Sequence, residues 1–256
     1  MKRFIALLLA AIIILGTGTA LAAKWTCPEC GKTGNTGAFC PDCGSAKPGS
    51  TSIKAGDRVY LGRWEQNDYT GDGAEKIRWI VLDVQGSKLF LLSEKALACL
   101  PFNKKSDGTA WAGCSLRMWL NNDFYNSAFS KDEKKGIKTT QVEDTREHTY
   151  YEVDTASRFS GTCEDKVFLL SYLEARELLS QQDAYCEMTA VVSKHKNRPK
   201  VEKSNGRSSC IWWLRTSAYK KNAMTIMFGS FSTAYEHHPQ VCVRPALWAD
   251  ASVVTQ

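Results

Sequence analysis

Arg58-Val59-Tyr60-Leu61-Gly62, Ile77-Arg78-Trp79-Ile80-Val81-Leu82-Asp83-Val84 and Lys88-Leu89-Phe90-Leu91-Leu92 follow one another closely, each rich in apolar or β-branched side chains. Gly-containing turns separate them, so they are expected to form antiparallel strands. Further along, Leu116, Trp119, Leu120 and Phe124 recur at helical spacing, giving a helix from Leu116 to Ala128 that runs into Phe129. Ser130 with Glu133, and Ser171 with Glu174, each have the spacing of a capping box. The first marks a capped turn to Gly136, the second a helix to Ser180. Lys166 to Leu170, Ile211 to Leu214, Met224 to Phe228 and Val241 to Leu247 read as further short strands. Short strands with two or three inserted helices give an α+β domain over 53–256. There is no internal repeat.

Working back towards the N-terminus, Gly49-Ser50-Thr51-Ser52 is a polar linker. Residues 23–48 before it are rich in Cys, Gly and Pro. The first 22 residues have a basic start at Lys2-Arg3, an apolar run from Phe4 to Leu15, and an A-x-A site at Ala20-Leu21-Ala22. That is the plan of a secretory signal peptide cleaved after Ala22. The apolar run is shorter than the roughly 20 residues a membrane span needs, and no later run approaches that length. The mature chain is therefore expected to be secreted or held in the cell envelope or periplasm, without a membrane span. Cleavage removes Lys2 and Arg3 and lowers the net charge from +6 to +4. No basic run is interleaved with aromatics, which excludes a nucleic-acid face. Lys194 to Lys200, the densest basic stretch, reads as a solvated loop. Eight tryptophans and ten phenylalanines favour a buried core over disorder.

Cys27-Pro28-Glu29-Cys30-Gly31 and Cys40-Pro41-Asp42-Cys43-Gly44 are two C-P-x-C-G turns. Two residues between thiolates let both sulfurs face one metal, and two such turns complete a closed tetrahedral site. Cys27, Cys30, Cys40 and Cys43 are thus expected to hold structural zinc. Trp25 to Pro48 is similar to the short zinc ribbons found at the ends of many bacterial proteins. In an oxidising compartment two disulfides are the alternative. Iron is disfavoured by the short spacer. The other six, Cys99, Cys114, Cys163, Cys186, Cys210 and Cys242, allow fifteen pairings or none. Sequence proximity points to Cys99–Cys114, Cys163–Cys186 and Cys210–Cys242.

From Gly56 onward the chain resembles a family of exported bacterial proteins catalogued as domain of unknown function 6273. The resemblance is carried by Gly56 to Gln66 with Ile77 to Leu82, by Leu89 to Ser93 with Cys99 to Asn103, by Trp111 with Ser115 to Asn121 and Phe124-Tyr125, and by Asp165 to Ser171. It closes with Trp212-Trp213-Leu214-Arg215-Thr216 and Val243-Arg244-Pro245-Ala246-Leu247-Trp248. That ending is similar to endings in the formylglycine-generating-enzyme branch of the C-type-lectin-like folds. The resemblance implies a C-type-lectin-like domain, with Arg215 and Arg244 as structural anchors. It implies no activity.

Catalytic and metal motifs are thin. Asp68 to Gly73 starts like a calcium loop, but Trp79 stands where the twelfth-position Glu belongs. Adjacent His237 and His238 would point to opposite faces of a strand, so Glu236-His237-His238 reads as a solvated loop. No G-x-S-x-G marks a nucleophile. Aromatic side chains expected in or beside loops remain: Trp64, Trp111, Tyr219, Phe231 and Tyr235. The segment from Tyr219 to Tyr235 has the mixed composition of a binding loop. The expected function is an extracytoplasmic binding module for a glycan or protein, with an uncharged aromatic groove. An enzyme of the formylglycine-generating type, or a hydrolase with an unrecognised site, is the alternative.

Overall fold

A computed structural model describes residues 24–37, 39–43, 45, 47, 53–67, 69–143, 161–196, 198–199, 202–204, 207–219 and 221–256. The expected signal peptide and linker lie outside these residues, as do Gly44, Asp68 and His148.

The opening meander forms as its composition demands. β1 (Arg58–Trp64), β2 (Glu75–Gln85) and β3 (Lys88–Ser93) pair in antiparallel order. Val59, Leu61, Ile77, Trp79 and Leu89 to Leu92 are buried, and the Trp79 indole N–H donates to the Leu61 carbonyl at 2.7 Å. β1 is irregular between Tyr60 and Arg63, where Gly62 takes φ +72. β4 (Ala98–Cys99) then leads into α1 (Ser115–Trp119), a π-helical turn over Leu120–Phe124, and α2 (Tyr125–Ala128). Leu116, Leu120, Phe124 and Ala128 all face the core.

The chain continues through α3 (Lys131–Gly136), β5 (Thr140–Glu143), β6 (Thr162–Asp165) and α4 (Tyr172–Leu178). Both expected capping boxes form: Ser130 and Glu133 close α3, Ser171 and Glu174 close α4. The expected strand at Lys166 to Leu170 does not. Its backbone is satisfied from the sides instead. The Asn121 side chain, on the π-helical turn, accepts from Lys166 and Val167 N–H and donates to the Val167 carbonyl. Phe168 exchanges both backbone bonds with Ala246, and Arg215 takes the Leu169 carbonyl.

After α5 (Gln181–Ala184), α6 (Ala190–Lys194) and a ribbon of β7 (Glu202–Ser204) with β8 (Arg207–Ser209) come β9 (Trp212–Ser217), β10 (Asn222–Met227) and β11 (Ser230–Tyr235). The binding loop expected from Tyr219 to Tyr235 is therefore largely a hairpin. Its two turn residues, Phe228 and Gly229, have φ +52 and +76, the left-handed pair that matches strand twist in a two-residue turn. The strand expected over Val241 to Leu247 is split. β12 (Cys242–Val243) and β13 (Ala246–Asp250) belong to different sheets, because Pro245 offers no N–H to continue the first ladder.

Two sheets result. One runs β1-β2-β3-β13, the other β11-β10-β9-β12-β4, with β12 parallel to β9 and every other pair antiparallel. The chain passes between them twice, from β3 to β4 and from β12 to β13, and the two crossings lie side by side: Ser93 N–H donates to Pro245 and Leu97 N–H to Val243. The molecule is thus mixed α/β, mostly sheet with short helices. Among the described residues no helix is long and apolar enough to cross a membrane.

Candidate functional site

The four-cysteine module is built locally. Residues 28–30 and 41–43 form turns, and Trp25 and Asn35 exchange backbone bonds of 2.9 and 3.0 Å across the first one. Trp25, Cys27 and Cys40 make a small buried cluster, with the Trp25 indole donating to the Gly37 carbonyl. Cys30 and Cys43 are exposed. The four sulfurs lie within 4.8 Å of one another, with Cys27–Cys43 at 3.4 Å and Cys30–Cys40 at 3.5 Å. Zinc–sulfur bonds of about 2.3 Å in a tetrahedron put sulfurs about 3.8 Å apart, so the cluster fits such an ion. Ser45, which the C-P-x-C-G spacing does not single out, places its hydroxyl 2.8 Å from Cys27 and 3.2 Å from Cys43.

The thiols respond to one another. Burial works against ionising Cys27, yet the Ser45 hydroxyl, backbone N–H groups and Cys43 lower it to about 6. Cys43 is lowered too, first by Ser45. The Lys32 N–H favours the Cys30 thiolate, but burial and three neighbouring sulfurs outweigh it and raise Cys30 to about 12. Negative charge thus gathers where a cation would neutralise it.

Arg244 and Arg215 sit at the joints. Arg244 is 1% exposed at the strand crossing and donates to the Ser93, Asp183 and Glu94 carbonyls, with its guanidinium over the Trp212 ring. Arg215 donates to the Glu143 and Leu169 carbonyls and forms a two-pronged pair with Glu174 at 2.5 and 2.9 Å. Sequence reading passed over a third hub. Asp165 is buried and takes the Trp111 indole at 2.8 Å and the Arg117 guanidinium at 2.7 Å.

The five aromatics do not share one groove. Trp111 is fully buried, so its placement in a binding loop is corrected: it belongs to the core. Trp64 is half-buried against Trp119 and Phe124, with its indole on the Leu97 carbonyl. Phe231 lies on β11 against Tyr172, ring centroids 4.6 Å apart. Tyr219 and Tyr235 are 47% and 60% exposed. Glu236, expected in a solvated loop, is buried and accepts the Gly108 N–H at 2.6 Å, while His237 and His238 are exposed.

One concavity is charged rather than aromatic. It encloses about 560 Å³ and is lined by Arg58, Arg78, Glu94, Asp183, Tyr185 and Glu187 among others. Arg58 bridges Glu94 at 3.1 Å and Asp183 at 2.7 Å, and Arg78 meets the other Glu94 oxygen at 3.1 Å. Most of its charge is already paired.

The core cysteines also depart from proximity in sequence. Cys99 lies opposite Cys242 rather than beside Cys114, and Cys210 N–H donates to the Cys186 carbonyl. Cys163 faces Asp165.

Residues 86–251 match a family model described as a domain of unknown function (DUF6273). The match begins at Gly86, in the turn between β2 and β3, so the resemblance read over Gly56 to Leu82 lies outside it. No curated protein and no solved structure matches.

Proposed function

We propose that this chain, which belongs to the domain of unknown function 6273 family, is an extracytoplasmic binding module that recognises a glycan or protein at the open edge of its second sheet. The observation that carries this reading is the outermost hairpin. β11 ends the sheet with no described strand on its outer side, and Tyr235 and Tyr219 stand exposed near the end of the same hairpin. Exposed rings beside an unpaired strand supply stacking surface for a sugar and main-chain bonds for an extended peptide.

The reading includes a signal peptide over 1–22, a zinc ribbon over 23–48, a linker over 49–52 and a C-type-lectin-like domain over 53–256. Zinc would serve as a cross-link through Cys27, Cys30, Cys40 and Cys43. The mostly-sheet architecture is compatible with this fold. An enzyme of the formylglycine-generating type needs an accessible, activated thiol. Burial raises Cys114 to about 12 and also lifts Cys163, and the remaining core thiols are buried. Those environments favour the binding reading.

The test is retention of the mature, zinc-loaded protein on an immobilised panel of defined oligosaccharides and peptidoglycan fragments, and on extended peptides. Replacing Tyr219 and Tyr235 together by Ala is expected to lower retention at least tenfold with little change in Tm, since both rings are exposed. Equal retention by the variant, or retention on none of these surfaces, would overturn the proposal.

A further inference from the structure

Four of the core cysteines gather at the second sheet, two on its strands and two on the segments just before α6 and β9. Cys99 on β4 and Cys242 on β12 are directly opposite in an antiparallel pair, with Leu100 N–H donating to Val241 beside them. That bond makes the cysteine pair the closely spaced, non-hydrogen-bonded kind, whose Cα atoms are about 4.5 Å apart. Such a separation lies within the span a disulfide bridges. The two sulfurs are already 3.2 Å apart and buried. At the other end, Cys210 is tied to Cys186 by a 2.8 Å backbone bond, and Ser209 next to it accepts the Cys186 N–H at 3.2 Å. The Cys186 and Cys242 thiols are also the neighbours that hold the Cys210 thiol well below its ordinary range.

We propose that oxidation joins Cys99 to Cys242 and Cys186 to Cys210, one disulfide within the second sheet and one beside it, just ahead of β9. The contacts decide the pairing. Cys99 and Cys242 meet sulfur to sulfur and Cys210 and Cys186 meet through the backbone, so the two end pairs are the arrangement that gives every sulfur a partner. A central Cys210–Cys242 bond would strand Cys99 and Cys186 at opposite ends. These four core cysteines are not a metal cage: among the described residues, the knuckle cysteines are the one group of three or more possible ligands whose ligand atoms all lie within 4.8 Å of one another. Cys114 and Cys163 take no part and remain thiols.

The oxidant is an external disulfide, of the oxidised-glutathione or protein-dithiol class. For each bond, one cysteine thiolate attacks a sulfur of that disulfide and expels a thiolate, leaving a mixed disulfide. The second cysteine, deprotonated, attacks the protein sulfur and expels the other thiolate. Two protein thiols are oxidised, one external disulfide is reduced to two thiols, and the two protein protons end on the expelled sulfurs. Cys99, Cys186, Cys210 and Cys242 are all nearly inaccessible in the folded chain, 7% exposed at most. The bonds must therefore form before the core closes. Their formation in the cell rests on the export reading, whereas the pairing does not.

The test is disulfide mapping of the mature chain refolded with zinc in a glutathione redox buffer, by mass spectrometry of non-reduced peptides. Linked peptides for Cys99–Cys242 and Cys186–Cys210, with Cys114 and Cys163 alkylated, are expected. Reducing only these two bonds is expected to lower Tm by about 10 °C or more. A Cys242→Ser variant is expected to keep Cys186–Cys210 intact. A predominant Cys210–Cys242 bond, a bond to Cys114 or Cys163, or four free core thiols after refolding would each overturn the pairing. If the refolded chain carries both bonds but the chain isolated from cells does not, the pairing stands and the export reading fails.

Discussion

Arg244, 1% exposed, holds three backbone carbonyls at once. Removing its guanidinium while keeping the chain path would leave the Ser93, Asp183 and Glu94 carbonyls short of a donor at the strand crossing. Each lost buried bond of this kind costs about 1–3 kcal/mol. Arg244→Met is therefore expected to destabilise by about 3–5 kcal/mol. Arg244→Lys recovers only part, because one ammonium cannot reach three carbonyls in a plane. Urea unfolding of the three proteins checks this, and a Lys variant as stable as the parent would refute it. Gly62 is a second such residue. It has φ +72, and a methyl group there would meet the Phe129 ring at 2.6 Å and the Ala128 carbonyl at 2.8 Å. Gly62→Ala is expected to cost about 2–4 kcal/mol, read as a lowered urea midpoint with unchanged slope. Neither residue betrays its burial in sequence. Arg244 was reached only through resemblance, and the buried Glu236 looked like surface because charge beside two histidines normally marks solvent.

Among elements, those ruled by local chemistry were legible. The capping boxes at Ser130 and Ser171 needed only three-residue spacing, and the opening meander needed only alternation and turns. Of the hairpin, β10 was legible as a strand at Met224 to Phe228, whereas β11 was not, because the turn is Phe228-Gly229 rather than Asn-Gly and Ser, Thr and Ala in β11 read as loop. The extended run at Lys166 to Leu170 was mistaken for a strand because its composition cannot reveal that Asn121 and Arg215 replace the ladder. The four-cysteine element was legible in its ligand set but not in Ser45. Its metal affinity should depend steeply on pH. Cys30 stays protonated up to about 12 without metal, so binding must expel at least that proton throughout the neutral range. Zinc affinity, measured by competition with a chromophoric chelator, is expected to fall at least tenfold for each unit of acidification from pH 8 to 6. A flat profile would exclude a four-thiolate site.

At the level of the whole molecule, the α+β class was legible from short strands with few helices, but the partition into two sheets was not. Pro245 is the physical cause of that partition, yet a Pro after a strand reads equally well as its end. The crossing also orders events in time. β12 lies inside the second sheet, between β9 and β4, and β13 completes the first against β3. Both sheets thus wait for residues 242–250, which follow every other strand of the two sheets in chain order. A nascent chain lacking that segment can finish neither of these two sheets, and Thr255, beyond it, bonds back to Tyr60 on β1. Termination before residue 242 would leave both of these sheets unfinished, a product for proteases rather than a shortened working protein, while the chain stays threadable until that segment has been made.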